Sequence, residues 1–546
     1  MIFSLIASAC VERADVLVIG GGAGGTCAGI ASARHGAKTV ILEETPWAGG
    51  MLTSAGVSAI DGNYRLRGGL FGEFCDSLAK RYGSLEKLHS GWVSRIMYSP
   101  KTGAEVLKNI ISKERGLKIE FQAKVLSVKS DGNCWEVRYT TKTGPRKIRA
   151  KIVIDGTELG DAAAMAGAEY EVGLAEMGGA VQDMTYVLLL KDFGHDVTIA
   201  RPEGYDAEKY RGSTSHSNSG KTNGKGQTLW TPEMMMSYGR LPDGEIMLNW
   251  PIEGNDFYAN VVDSSDKARN IAYNEAKKHS LGFLYYIQTE LGYNNYGISD
   301  KTFPTADGLP FYPYHREARR IISESSFELK HIYDPYCDTL YKASVAVGDY
   351  PIDHHHYANP RWAEFPSLYY KAIPSFSVPF SVLVPVGLDN FLMADKATGV
   401  SNLVNGATRL QPVVMSLGQA AGTAAAIAVK RNCSVRSVPV NAIQDALIRD
   451  KAYILPYLDA GPEDKDFEVI QRIGASGILR GTGRSVDWSN ETLFRTEEVT
   501  TEEELHLEEY FDKAEASKIK EKLLGLTRRR AAVIIDSLYR NQFFSK

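Results

Sequence analysis

The sequence has few cysteines and no CxxC pair. Its six cysteines are scattered along 546 residues. Iron–sulfur clusters, structural zinc sites and redox dithiols need closely spaced cysteines, so this spacing argues against all three. We therefore predict no bound metal. The cysteines are Cys10, Cys27, Cys75, Cys134, Cys337 and Cys433.

Long apolar runs and an excess of positive charge are also missing. No stretch approaches the roughly 18 apolar residues of a membrane-crossing helix, which predicts no transmembrane span. The formal net charge is −4, so the chain lacks the basic surface that nucleic acid binding needs. With 44% hydrophobic and 23% charged residues, the composition is that of a globular protein, and this length predicts two or three domains.

The N-terminal sequence MIFSLIASAC has two interpretations. Small residues precede Cys10, as they do at the end of a lipoprotein signal, but a basic n-region is missing and the apolar region is short. Residues 1–13 are therefore either the remnant of such a signal or a frayed terminus. A signal predicts lipidation of Cys10 and association with a bacterial cell envelope or periplasm. A frayed terminus predicts a cytoplasmic protein.

The most informative stretch is VLVIGGGAGGTCAGIASARHGAKTVILEE, residues 16–44. It has the pattern of a strand, a Gly-rich loop, a helix and a second strand. Gly20 permits the tight turn, Gly22 lets the backbone approach a pyrophosphate, and Gly25 lets the helix pack on the strand. Glu43 ends the second strand, where its carboxylate can accept hydrogen bonds from both ribose hydroxyls. The pattern predicts a Rossmann unit that binds FAD or NAD; a Gly-rich turn that binds nothing is the alternative.

A second Gly-rich turn follows that strand. Gly49-Gly50-Met51 lies where flavoproteins bring backbone amides against the pyrophosphate and flavin, although a surface turn has the same composition. Further on, two alternating segments flank an Asp-Gly pair at 131–132, which predicts a hairpin. This hairpin resembles the three-stranded excursion in the FAD domain of glutathione-reductase-like flavoproteins. The resemblance implies that Val125 lies near the adenine.

Two more segments complete the predicted FAD site. The strand at 151–155 ends at Gly156-Thr157, a variant of the turn that returns to the pyrophosphate in these flavoproteins. A later apolar strand ends at Asp395, a candidate contact to the ribityl chain. The small-residue helix at about 411–430 is predicted to approach the flavin ring and to direct its dipole at it; a tightly packed core helix is the alternative. Its predicted flavin contacts are Gly418, Gln419, Ala420 and Ala421.

With these motifs, residues 14–450 resemble the FAD-dependent oxidoreductase family related to the flavin-binding part of heterodisulfide reductase, and especially its bacterial branch. Further matching segments are NWPIEGNDF, PYHREARRI and VGDYPIDHHH. The cluster cysteines of the reductase are absent here. The resemblance implies an α/β protein with a glutathione-reductase-like FAD-binding Rossmann domain, an inserted α+β substrate domain and a C-terminal helical module. The predicted limits are 14–169 plus 381–450, 170–380 and 460–546.

The predicted substrate domain concentrates charged and titratable groups. His355 is the candidate base, because an imidazole titrates near neutrality and Asp353, two residues before it, can tune it. A solvated loop and an adventitious metal site are alternatives for this histidine run. Arg316 and Arg319 are candidate substrate ligands, for which a structural salt-bridge network is the alternative. Tyr314 and Arg409 are further candidates.

The C-terminal region is rich in charge. TTEEEL predicts a helix that begins at Thr500, with Glu503 in a capping box. The region loosely resembles an S-layer-homology-like helical module, which would suit association with a surface. A solvated helix face is the simpler interpretation.

These observations predict an FAD-dependent oxidoreductase. In it, hydride passes between a small organic substrate, expected from the resemblance to be a sugar or a sugar derivative, and N5 of the flavin. The electron acceptor is not specified. The alternatives are a non-catalytic FAD-fold scaffold and an NAD-dependent dehydrogenase, although a single GxGxxG leaves NADH without a domain of its own.

Overall fold

The structure is a computed structural model that describes residues 11–92, 94–366, 370–486 and 489–543. Cys10, the predicted lipidation site, lies outside the described residues.

The N-terminal part forms the main sheet, the helices that cover it and a separate two-stranded sheet. Its elements are β1 (Glu12–Ile19), α1 (Ala23–Arg34), β2 (Thr39–Glu43), β3 (Ala59–Ile60), α2 (Gly69–Tyr82), β4 (Ile96–Met97), α3 (Pro100–Lys113), β5 (Leu117–Phe121), β6 (Lys124–Ser130), β7 (Trp135–Thr141), β8 (Gly144–Asp155) and α4 (Asp161–Ala166).

The main sheet has the strand order β5-β2-β1-β8-β7-β6, and β3 pairs with β4 in the separate sheet. β5, β2, β1 and β8 are parallel, which suits the buried apolar runs of β1 and β2. β6, β7 and β8 are antiparallel, so the hairpin at 131–132 is confirmed. This is a Rossmann-like sheet with a three-stranded excursion, and the carboxyl ends of its parallel strands form the edge where ligands bind such folds.

The next segment adds small sheets and a long helix. Its elements are β9 (Tyr170–Glu171), β10 (Met184–Thr185), β11 (Leu188–Asp192), α5 (Pro232–Tyr238), β12 (Ile246–Leu248), β13 (Asp256–Phe257), α6 (Asp266–Thr289), β14 (Tyr296–Ile298), β15 (Arg320–Ile321), α7 (Leu329–Tyr333), β16 (Ser344–Gly348) and β17 (Phe376–Pro379). β11 lies between β12 and β14, and these strands pack on α6 around a separate core that includes Trp250 and Phe283. From Ala318 onward the segment shares the core of the main sheet.

The chain then returns to the main sheet through β18 (Phe391–Met393), α8 (Asn402–Thr408), α9 (Gln411–Arg431) and α10 (Val440–Arg449). β18 pairs in parallel with β8. α9 packs closely on α1, because a Cβ on Gly418 would lie 2.0 Å from the carbonyl oxygen of Gly24. By length and hydropathy α9 alone among the described helices could span a membrane, but 83% of its most apolar window is buried inside the protein.

The C-terminal region is helical with one hairpin. Its elements are α11 (Phe467–Ser476), β19 (Thr482–Val486), β20 (Ser489–Leu493), α12 (Lys513–Leu523) and α13 (Arg528–Phe543). The hairpin of β19 and β20 was not predicted. The predicted helix at Thr500 is wrong: Glu504 pairs with Arg495 and Arg528 instead. The first α-helix of this stretch begins only after Asp512, whose side chain accepts from the amide of Glu515.

Candidate cofactor and catalytic site

The loop between β1 and α1 has the backbone geometry that the sequence predicted. Gly20 has φ of +88°, a left-handed conformation that favours glycine. A Cβ on Gly22 would lie 2.7 Å from the carbonyl oxygen of Gly156 and 2.8 Å from Oδ2 of Asp395, and one on Gly25 would lie 2.0 Å from the carbonyl oxygen of Gly20. Side chains are therefore excluded from this loop, and the N-terminus of α1 follows it, as a pyrophosphate site requires.

Glu43 ends β2 beside this loop and is 6% exposed. Its Oε2 accepts from the amide of Gly21 at 2.6 Å, and its Oε1 accepts from the amide of Thr45 at 2.7 Å. Burial raises the pKa of Glu43 to about 7, although these hydrogen bonds act in the opposite direction. The carboxylate is thus held at the end of the second strand, where an adenosine ribose binds in Rossmann units.

The turn Gly49-Gly50-Met51 lies against the same loop. The amide of Gly49 donates to the carbonyl of Gly21 at 2.8 Å. Val125 is in β6, near the point where the amide of Ala123 donates to the carbonyl of Glu43 at 2.9 Å. The fold therefore brings the residue predicted to contact the adenine and the residues predicted to contact the pyrophosphate to one edge of the sheet.

Gly156, Thr157 and Asp395 also lie at this edge. The amide of Gly156 donates to the carbonyl of Ile19 at 2.7 Å. The hydroxyl of Thr157 donates to Asp155 at 2.6 Å, so this side chain braces the turn. Oδ2 of Asp395 accepts from the amide of Gly24 at 3.2 Å, which places its carboxylate at the start of α1.

The flavin contacts predicted in α9 need correction. Gly418 packs on α1, Oε1 of Gln419 accepts from the amide of Leu70 at 2.9 Å, and Ala420 and Ala421 are fully buried in the core. These residues lie two turns inside a helix that begins at Gln411. Their small size serves helix packing, and the dipole of α9 acts at Gln411 instead.

Two buried oxygen atoms near the start of α9 have no partner within the described part of the chain. They are Oγ of Ser58 and Oε1 of Gln411. Nε2 of Gln411 donates to the carbonyl of Ala59 at 3.1 Å, which places the two atoms in one neighbourhood. Buried polar atoms are normally paired, so these atoms fit a bound group with hydrogen-bonding edges. Together with the side-chain-free loop at Gly22 and the carboxylate of Glu43, they fit FAD.

A second feature is a chain of buried charges of alternating sign, here called the buried charge cluster. His355 is at its centre, with Nδ1 2.8 Å from Asp256 and Nε2 3.1 Å from Asp353. Arg316 lies 3.2 Å from Asp256, and Arg409 lies 3.2 Å from Asp353. All five residues are at most 6% exposed.

The electrostatics of the buried charge cluster favour a charged histidine. Burial and Arg316 lower the pKa of His355, but Asp353 and Asp256 more than offset this, so the net shift is upward. Burial raises the pKa of Asp353, but His355 and Arg409 bring it well below its usual range. The predicted pair of Asp353 and His355 therefore exists. The predicted base does not fit, because both ring nitrogens of His355 face carboxylates and neither is free to accept a substrate proton.

The two arginines predicted to bind substrate are also corrected. Arg316 donates to the carbonyl of Asp183 and to Thr185 as well as pairing with Asp256. Arg319 lies 2.7 Å from Asp161 and 3.0 Å from Asp263. Their guanidinium groups are engaged by the protein, as the salt-bridge alternative states.

Arg409 and Tyr314 were the minor candidates, and they are better placed. Nη1 of Arg409 donates to Oη of Tyr314 at 2.6 Å. Nε of Arg409 and Oδ1 of Asp353 are buried without a partner among the residues that the structure describes. Arg409 directly follows α8 and lies two residues before Gln411, the first residue of α9.

Asp61, which directly follows β3, is a further candidate that the sequence does not single out. Oδ1 of Asp61 accepts from Ser94 at 2.6 Å, and the residue is half-buried. Burial and the charge of Asp353 raise the pKa of Asp61 to about 6, although Ser94 and Arg409 lower it. A carboxyl group with this pKa can accept a proton near neutral pH. Its only sequence signal is its place after a short apolar strand, which is too common to single it out.

One group of described residues has metal-ligand composition: His331, Cys337 and Asp338. Nδ1 of His331 accepts from the amide of Glu328 at 2.8 Å, and Nε2 lies 3.0 Å from Asp338. Both ring nitrogens are thus engaged within the protein, and we assign no ligand to this group.

The match to one protein family agrees with the loop geometry. A family model described as FAD dependent oxidoreductase matches residues 15–447. Among solved structures, p-nitrophenol 4-monooxygenase from Pseudomonas putida DLL-E4 is 12% identical over 85% of this chain and 95% of that one, with a TM-score of 0.37. L-proline dehydrogenase from P. horikoshii is 19% identical over 30% of this chain and 24% of that one, with a TM-score of 0.18. The aromatic hydroxylase CabE is 17% identical over 33% of this chain and 37% of that one, with a TM-score of 0.25. No curated protein matches the chain.

Proposed function

Because the chain belongs to the FAD dependent oxidoreductase family, we propose that it is a dehydrogenase in which hydride passes between a small organic substrate and N5 of FAD. Family membership makes it an FAD-dependent enzyme rather than a scaffold or an NAD-dependent dehydrogenase. The substrate class we propose is a sugar or a sugar-derived alcohol or acid. Residues 170–380 would form the domain that covers the substrate, and 460–546 a C-terminal helical module.

The observation that carries the proposal is that Arg409 and Asp353, which form an ion pair, each keep one buried polar atom without a partner among the described residues. Arg409 offers a donor at Nε and Asp353 an acceptor at Oδ1. A substrate hydroxyl can satisfy both, because it donates one hydrogen bond and accepts others. The mixture of one cation and one carboxylate suits a hydroxylated substrate better than an apolar one, since leaving these atoms unpaired is costly.

We assign proton transfer to Asp61. Oxidation of an alcohol requires that its hydroxyl proton pass to a base as hydride leaves the carbon, and bound FAD supplies the hydride acceptor. Asp61 is within electrostatic reach of Asp353 and Arg409, and its raised pKa suits this task. Arg409 would orient the substrate oxygen, while His355 holds Asp353 in place.

Anaerobic flavin reduction by a panel of aldoses, alditols and aldonic acids tests this function. One class is expected to bleach the flavin, and Asp61→Asn is expected to slow that reduction by roughly a hundredfold, because the proton acceptor is lost. Asp300→Asn, at an exposed carboxylate paired with Lys191, is the matched control and should reduce at the wild-type rate. Reduction only by NADH or NADPH, with no response to the panel, would exclude the proposed substrate class.

A second prediction concerns Glu43 and the adenosine ribose. Glu43→Ala removes two charge-assisted hydrogen bonds worth about 1.5–3 kcal/mol each, so the FAD dissociation constant should rise at least about tenfold. The measurement is a fluorescence titration of apoprotein with FAD. Glu44→Ala is the matched control, because Glu44 is 68% exposed and its carboxylate lies 3.7 Å from Lys124. Equal effects of the two substitutions would show that Glu43 does not bind the ribose.

A further inference from the structure

Lys396 is a fully buried cation that the proposed chemistry does not use. It is 1% exposed and directly follows Asp395, which lies two residues after the end of β18. Its Nζ lies 3.1 Å from Oδ1 of Asp395 and forms a closer ion pair with Glu158. Burial lowers the pKa of Lys396, but Asp395 and Glu158 more than offset this, so the ammonium stays charged.

Both carboxylates that hold Lys396 adjoin the loop between β1 and α1. Oδ2 of Asp395 accepts from the amide of Gly24 at 3.2 Å. Oε1 of Glu158 lies 2.4 Å from the position that a Cβ on Gly50 would take, and the Cα of Gly22 lies 2.7 Å from the same position. Glu158 and Asp395 thus flank the segment whose amides face a pyrophosphate.

The carboxylates of Glu158 and Asp395 would repel the phosphates of a bound dinucleotide. A pyrophosphate adds two negative charges, and two buried carboxylates already lie beside the loop. Charges repel more strongly in a buried site than in water, because the effective dielectric constant is lower. Across the described part of the chain, Lys396 is the cation paired with both carboxylates.

We propose that Lys396 is a pyrophosphate-binding residue of the FAD site. Its ammonium group offsets Glu158 and Asp395 and donates to a phosphate oxygen. The donor for this contact is the hydrogen now directed at the backbone carbonyl of Glu158, whose distance of 3.4 Å makes it the weakest of its three contacts. The assignment concerns cofactor binding and is independent of the proposed substrate and base.

The experiment compares ligands that contain a pyrophosphate with one that lacks it. Apoprotein of Lys396→Met is titrated with FAD, ADP and riboflavin. The dissociation constants of FAD and ADP should rise at least about tenfold, as expected for loss of a charge-assisted contact, while that of riboflavin changes less than about twofold. Lys118→Met, at an exposed lysine paired with Glu12 and Glu120, is the control and should leave all three unchanged.

Glu158→Gln should change cofactor affinity in the opposite direction to Lys396→Met. A purely structural role for the ion pair would not produce this result. Removal of one carboxylate beside the phosphates should tighten binding of FAD and ADP several-fold. The double variant Lys396→Met/Glu158→Gln should bind FAD and ADP more tightly than Lys396→Met does. The double variant also keeps the test open if Lys396→Met fails to fold, because it leaves one buried carboxylate without the lysine instead of two, and that carboxylate, Asp395, still accepts from the amide of Gly24.

Two outcomes would overturn the assignment. One is an equal loss of riboflavin and FAD affinity in Lys396→Met with ADP unaffected, which would place the lysine at the flavin ring. The other is weaker FAD binding in Glu158→Gln, which would show that the carboxylate supports the cofactor instead of repelling it.

Discussion

Gly22→Asp is expected to lower FAD affinity on the order of a hundredfold or more. The new side chain would start 2.7 Å from the carbonyl oxygen of Gly156 and 2.8 Å from Asp395, so it would fill the space that the pyrophosphate needs. Its carboxylate would also face the phosphates, and such like-charge contacts cost several kcal/mol. Flavin released by heat from purified protein is the measurement.

Two further variants separate the effect of the added charge at residue 22 from the effect of the added side-chain volume. Gly22→Asn has nearly the same shape without the charge, so it should bind FAD more weakly than wild type but better than Gly22→Asp. Gly224→Asp, at a site with no heavy atom within 4 Å of the added Cβ, should retain full flavin content. Wild-type flavin content in a folded Gly22→Asp protein would contradict the assigned cofactor site.

His355→Gln is expected to lower the free energy of unfolding by about 3–5 kcal/mol, because it removes the central cation of the buried charge cluster and leaves two carboxylates facing each other. The measurement is urea unfolding of both proteins. Flavin reduction should slow far less than in Asp61→Asn, since His355 positions Asp353 and does not accept the substrate proton. A variant as stable as wild type but unable to reduce flavin would restore the histidine as the base.

The stability difference between wild type and His355→Gln should also depend on pH. The folded state raises the pKa of His355 above its unfolded value, so the charged imidazole stabilises the protein fully below about pH 6.5. This contribution is lost as the pH rises through the folded pKa. The groups that set this shift are Asp256, Asp353 and Arg316. A difference that grows with pH would contradict a charged His355.

Local sequence was enough to predict the cofactor loop. Gly20, Gly22, Gly25 and Glu43 lie within one strand–helix–strand unit, where the chemistry of each residue depends on near neighbours. The roles of glycine in tight turns and of a carboxylate at a strand end are the same in many folds. The hairpin around 131–132 was predictable for the same reason.

The contacts of the catalytic residues could not be predicted from local sequence, because they join segments that are far apart in the chain. His355 is 99 residues from Asp256, whose carboxylate fixes its charge state. Lys396 is 238 residues from Glu158. The alanine and glycine residues of α9 allow close packing against either a flavin ring or another helix. The sequence does not distinguish these two cases, whereas the fold shows that Gly418 packs on α1. The acidic residues after Thr500 do not begin a helix, because Glu504 forms ion pairs with two arginines.

The most direct test of the central claim is the visible absorbance spectrum of the purified protein before and after addition of the substrate panel. We expect a band at about 450 nm from one FAD per chain, which a hydroxylated substrate bleaches in the absence of oxygen. A colourless protein that gains no such band on incubation with FAD would contradict it.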